Sequence, residues 1–275
     1  MRFGTYIGDV KTAEEQAAKA RMFGYTAIGV HTEFAQNDDG VKHYRDVAKK
    51  FELQLAEVGA WSNPVSALPD KRHEGLELCK KNLALADALG ARCCVNISGS
   101  RGLRWDGPHP QNLTQETFDL VVQSVREIID AVKPTRTFYT LETMPWMYPD
   151  SVDSYVALVK AIDRKAFAVH FDPVNLIASP QLVYNSSALI RDFVAKLGPQ
   201  IRSVHVKDIR IGETLTVHLD ECRPGLGVLD HPTLFKELSK LDPEIPVLME
   251  HLPEEEYPLA AKYLRSAAAT VGVSL

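Results

Sequence analysis

The chain has 275 residues and is 45% apolar, with 31 Lys and Arg against 36 Asp and Glu for a formal net charge of −5. The apolar share is ample for a core, and an acidic balance without any basic run speaks against nucleic acid as the main partner. The opening stretch MRFGTYIGDV has no long apolar segment, so neither a secretory leader nor a membrane anchor is expected, and a cytoplasmic protein is.

Short β-rich runs alternate along the chain with amphipathic helical segments. The run 2–8 precedes a helix over 12–24, which opens on a Thr-x-x-Glu capping box and ends on a glycine. Runs at 26–31, 53–59 and 91–98 follow, with helices at 76–90 and 118–132, and the last runs are 136–142, 166–172, 201–208 and 246–251. The cysteines Cys79, Cys93, Cys94 and Cys222 form no CxxC pair and read as reduced thiols. Strands alternating with helices imply parallel pairing, because a crossover helix must return the chain each time. Eight such units predict an α/β fold, a single (β/α)8 TIM barrel domain over 1–275. The rival, an open doubly wound sheet, would announce itself with GxGxxG after the first strand, where this chain reads IGDVKT. No Ser- or Gly-rich linker divides the sequence.

Barrel active sites lie at the C-terminal strand ends. The fifth candidate strand ends at Glu142, the sixth at Asp172 and the eighth at Glu250, while the seventh carries His205 near its end. Three carboxylates converging on one mouth would repel one another and lose hydration, and a divalent cation at their centre removes that cost. Oxygen-rich ligation with one imidazole suits one Mn2+ first, then Mg2+ or Co2+, with Zn2+ less typical. Any one of these acids alone reads more often as a solvated or salt-bridged rim carboxylate; four such residues in register point to a metal site.

Other residues carry two readings each. His170 lies two before Asp172 on the same strand face, and is either packed or supports a ligand from behind. Lys207 faces the same way as His205, toward a substrate oxygen or an ion pair with Asp208. His31, at the end of strand two, is a substrate contact or a structural residue. The segment 99–114, with Trp105 and His109, is a substrate lid or a Pro/Gly-rich surface loop. Glu57 and Asn96, near strand ends, bind hydroxyls or pair with neighbours, and Trp61 and Trp146 are rim packing or sugar platforms.

The motifs LET (141–143), FDP (171–173), HVKD (205–208), PGLGVLD (224–230) and LMEH (248–251) together resemble the xylose-isomerase-like barrel superfamily of sugar isomerases and epimerases, over essentially the whole chain. The resemblance implies that Glu142, Asp172, His205 and Glu250 hold the metal. It also implies that Glu142 and Glu250 act as paired acid and base on the carbon beside a sugar carbonyl, through an enediolate that the metal stabilises. A small sugar substrate follows, and family members are often dimers or tetramers, so a homo-oligomer is in keeping. Many relatives have histidine three residues after the strand-six aspartate; here Asn175 stands there, an amide able to bind hydroxyls.

WDGPHP with DPVN is similar to barrel subunits of bacterial enzymes that cleave 3-oxo-glycosides by elimination. A lyase of that kind, or an inosose-dehydratase-like enzyme, is the runner-up. The apurinic-site endonucleases share the fold but need extra histidines, absent at Asn175 and just before Gly225. A non-catalytic sugar-binding module is the remaining contrast, against which stand four filled ligand positions.

Overall fold

The computed structural model describes residues 1–275. Its strands in chain order are β1 (Arg2–Thr5), β2 (Ala27–Gly29), β3 (Gln54–Gly59), β4 (Cys93–Asn96), β5 (Tyr139–Glu142), β6 (Phe167–Phe171), β7 (Ile201–Val206), β8 (Asp208–Ile211), β9 (Leu219–Cys222) and β10 (Pro246–Met249). Eight of them close into a barrel in the order β1-β10-β7-β6-β5-β4-β3-β2, every pair parallel. All eight expected runs are barrel strands. They are short and nearly all buried, as strands covered on both faces must be.

The helices are α1 (Ala13–Met22), α2 (Asp38–Lys50), α3 (Pro69–Leu89), α4 (Gln115–Val132), α5 (Val152–Ile162), α6 (Pro180–Tyr184), α7 (Ser186–Leu197), α8 (His231–Leu238) and α9 (Tyr257–Ala269). Thr12 caps α1 as expected, its side chain accepting from the Glu15 backbone N–H, but the capping box is half formed, because the Glu15 carboxylate accepts from the Lys11 N–H rather than from Thr12. Helix α3 starts well before the expected 76, with Pro69 in its first turn. Residues 69–74 are mostly exposed, so they carry no apolar period to read. The insertion 209–230, where the sequence indicated no element, contains a strand: β8 pairs antiparallel with β9, Asp208 opposite Cys222. No helix is long and apolar enough to cross a membrane.

Most of the core lies between strands and helices, as one cluster of buried apolar residues. Inside the barrel the apolar filling is small: Ala27, Ala56 and Leu248, with Tyr6 packed on them. Gly4 belongs to this narrow region, since a Cβ there would lie 1.8 Å from the Ala27 carbonyl oxygen. Above this apolar layer the barrel interior is polar, and it leads to the C-terminal mouth.

Candidate metal centre and active site

Each barrel strand delivers its last side chains to one end of the molecule. Glu142 is the final residue of β5, Asp172 follows β6 directly, His205 lies in β7 and Glu250 follows β10. Ligand atoms of these four all fall within 4.8 Å of one another. His205 Nδ1 is 3.2 Å from Glu142 Oε1 and 3.0 Å from Glu250 Oε1. The break in the strand at Pro173 has a local purpose. Asp172 Oδ1 accepts from the backbone N–H groups of Val174 (2.9 Å) and Asn175 (3.2 Å), which leaves Oδ2 for the ring. Thr143 fixes the Asp172 backbone, donating through Oγ1 to its carbonyl (2.7 Å) and accepting from its N–H (3.2 Å).

Lys207 reaches the same point. Its Nζ is 2.6 Å from Glu250 Oε1, 2.9 Å from Asp172 Oδ2, 3.6 Å from Glu221 Oε2 and 3.8 Å from Glu142 Oε1, at 2% exposure. Asp208 is not its partner; that carboxylate turns away to accept from the N–H groups of Ile209, Gly225, Gly227 and Leu229. Burial drives Lys207 toward neutrality, but the carboxylates around it outweigh that and hold its pKa well above the usual value. Asp172 is pushed up to about 6, chiefly by burial, with Lys207 opposing and the Glu142 and Glu250 charges adding. Burial also pushes Glu250 up, yet His205 and Lys207 more than cancel it and leave its carboxyl well below the usual range. Glu142 is lowered too, against burial and the charge of Glu250, by His205 and Lys207.

The donor set suits a divalent cation. Three carboxylates and one imidazole converge, and buried Asp172 Oδ2 and Glu250 Oε1 have no hydrogen bond of good geometry despite the nearby ammonium. Two ligand oxygens short of partners at a point of high negative charge are what a cation would satisfy.

A cavity of about 590 Å³ opens above the ring. Glu142, Asn175, Lys207, Glu221, Glu250 and His251 form its polar end. Asn175 Nδ2 donates to Glu142 Oε1 at 3.1 Å. The lining is also aromatic: Trp61, Trp105 and Trp146, the chain's three tryptophans, all contribute to it, each 37–38% exposed. Gly59 makes room for this lining, since a Cβ there would meet Trp61 Nε1 at 2.3 Å. Trp146 Nε1 donates to the Asp106 carbonyl at 2.8 Å, joining the segment after β5 to the segment 99–114.

Two expected contacts are not part of this cavity. His31 Nε2 donates to the Ile7 carbonyl (2.7 Å) and its ring packs on Phe34, 5.3 Å between centroids, so it secures the start of the β2–α2 segment. His109 Nδ1 accepts from the Gln111 N–H at 3.3 Å, inside its own loop. His170, by contrast, is fully buried one layer below the ring, its Nε2 3.2 Å from Glu57 Oε2.

A family model for the xylose isomerase-like TIM barrel matches residues 17–267. The chain belongs to that family. No curated protein matches it by sequence. Among solved structures, this TIM barrel is similar to D-psicose 3-epimerase from Clostridium cellulolyticum H10, solved with D-tagatose (15% identity, TM-score 0.74, 99% of this chain and 100% of that one). It is also similar to 3-keto-D-glucoside 4-epimerase from E. coli (14% identity, TM-score 0.69, 97% and 99%). A xylose isomerase-like TIM barrel protein from Mycobacterium smegmatis, in complex with magnesium, is a third (16% identity, TM-score 0.68, 94% and 89%).

Several site residues of this family member went unread in the sequence. Tyr6 sits at the end of strand one, where the strand-end rule could have found it. Glu221 and His251 reach the cavity, and nothing in the sequence placed them there; His251 Nδ1 lies 3.2 Å from Glu221 Oε2. Glu57, an acid inside the apolar run LQLAEVG, carries the same signal as His170, although its sequence context alone marks it only as a hydroxyl contact or a paired acid.

Proposed function

We infer that this chain is a divalent-metal-dependent enzyme that removes a proton beside the carbonyl of a sugar, as an isomerase or epimerase. The observation that carries the reading is the ring itself, with two of its four members, Glu142 and Glu250, also lining the cavity. Glu142, Asp172, His205 and Glu250 would hold the cation, which supplies positive charge where the carbonyl oxygen gathers electrons and so acidifies the neighbouring C–H. Glu142 and Glu250 both have lowered carboxyl pKa values and rest ionised, so either can take a proton at a carboxylate oxygen and return one to the carbon. Asn175 holds the Glu142 oxygen in place through its amide N–H. Lys207 presents its ammonium to the same cavity and orients a substrate oxygen. Trp61, Trp105 and Trp146 cover the apolar face of the ligand and exclude water.

The tryptophan lining favours a second reading, elimination from a 3-oxo-glycoside, because flat aromatic faces suit an aglycone ring as well as a sugar. Both readings begin with the same proton transfer. The test is metal content per chain, beside the Asp172→Ala variant, followed by incorporation of solvent deuterium into ketoses and 3-oxo-glycosides. About one Mn2+, Mg2+ or Co2+ per chain, lost in the variant, is expected together with exchange in one substrate class. Deuterium uptake by ketoses without bond cleavage favours the isomerase, and release of an aglycone the lyase. Absence of metal from the wild-type protein after loading overturns both.

A further inference from the structure

Behind His205 lies a polar group that the reaction outlined above does not use. Glu57 on β3 is fully buried inside the barrel, one layer below the mouth. Its Oε1 is 2.7 Å from His205 Nε2, and its Oε2 accepts from Ser203 Oγ at 2.7 Å and lies 3.2 Å from His170 Nε2. Ser203 and His205 are two apart on β7 and so face inward together, while His170 comes from the neighbouring β6. The rings of His170 and His205 meet edge to face, 4.1 Å between centroids. All four side chains are completely buried.

A carboxylate taken wholly out of water costs several kcal/mol unless donors surround it. Three donors, from three side chains on two strands, surround this one. The protonation pattern follows from the contacts. His170 Nδ1 is buried with no partner, so a proton there would be an unpaired N–H; its proton belongs on Nε2, donating to Glu57. His205 has one nitrogen on Glu57 and the other on the ring of Glu142 and Glu250.

We propose that Glu57 is a positioning residue for the metal centre, holding His205 with its proton on Nε2 so that the Nδ1 lone pair faces the cation, with His170 and Ser203 bracing the carboxylate. The opposite tautomer would aim an N–H at the cation and leave Glu57 Oε1 facing a bare nitrogen. A carboxylate on the far nitrogen also makes the imidazole a stronger ligand. The inference rests on the divalent-cation reading of the ring.

The test is titration with Mn2+ and Co2+ of the wild-type chain and of the Glu57→Gln, Ser203→Ala and Asp172→Ala variants. It is paired with nitrogen-15 correlation spectra of the histidine side chains in Zn2+-loaded protein. Glu57→Gln, which keeps the volume and removes the charge, is expected to weaken metal binding about 10- to 100-fold. Ser203→Ala is expected to change it by less than about threefold, since Ser203 does not touch His205. The spectra are expected to show His205 protonated at Nε2 and bare at Nδ1. Unchanged affinity in Glu57→Gln while Asp172→Ala loses the metal overturns the positioning role alone. Wild-type protein that takes up no metal overturns the ring reading beneath it. Should Glu57→Gln fail to fold, the same spectrum of the metal-free wild-type protein, taken at a pH where the imidazole is neutral, decides: His205 protonated at Nδ1 there overturns the proposal.

Discussion

Glu142 and Glu250 differ from ordinary rim carboxylates in what surrounds them. Each is held ionised by His205 and Lys207 against the pull of burial, and each faces the cavity. Replacing either by glutamine keeps shape and removes the proton acceptor. Glu142→Gln and Glu250→Gln are each expected to slow solvent exchange at the substrate carbon by about 10²- to 10⁴-fold. Single-turnover deuterium uptake measures this, and loss of less than tenfold in both variants would remove them from the proton-transfer step. These two, with Asp172 and His205, were legible in the sequence because strand ends define the barrel mouth. Lys207 was legible only as to its face. A two-residue offset tells which way a side chain leaves the strand, not where the end of a four-carbon stem comes to rest. His31 shows the same limit, since its strand-end position was right while its ring nitrogen is taken by a backbone carbonyl.

Among the elements, the barrel strands were readable because each is a short apolar run between helices. Helix α3 was readable only from the point where its buried face begins. The β8–β9 ribbon was not, because pairing depends on a partner across a turn and on one side chain outside both periodic patterns. That side chain is Asp208. It accepts from the N–H groups of Ile209 (2.9 Å), Gly225 (2.9 Å), Gly227 (3.0 Å) and Leu229 (3.0 Å), and so folds the whole insertion onto the mouth where Glu221 enters the cavity. Asp208→Ala strands these donors and is expected to destabilise the protein by about 2–5 kcal/mol. Denaturant unfolding measures the loss, and hydrogen exchange should quicken first at Gly225, Gly227 and Leu229. Unchanged exchange at these amides would mean that the insertion is held by something else.

At the scale of the molecule, a cation tied to β5, β6, β7 and the segment after β10 would join half of the barrel at one point. Binding to the folded state alone stabilises it by about 2.7 kcal/mol at a hundredfold excess over Kd. Chelation is therefore expected to lower Tm by roughly 5–10 °C, and added Mn2+ to restore it. Calorimetry with and without chelator checks this, and an unchanged Tm in protein shown to carry metal would place the ion outside the fold's load path.

Closure of the barrel has a consequence for synthesis. The seam between β1 and β10 pairs Arg2 with Pro246, and Thr5 donates to the Met249 carbonyl across 244 residues of sequence. At roughly 5–20 residues per second, a ribosome needs on the order of 10–50 s to make the second strand after the first. During that interval β1 has an unpaired edge in the nascent chain, and Glu250 has not yet been made. The ring is thus completed only with the last strand of the barrel, and a chain truncated before β10 would present an open sheet to the cell, a substrate for chaperones and proteases rather than for chemistry.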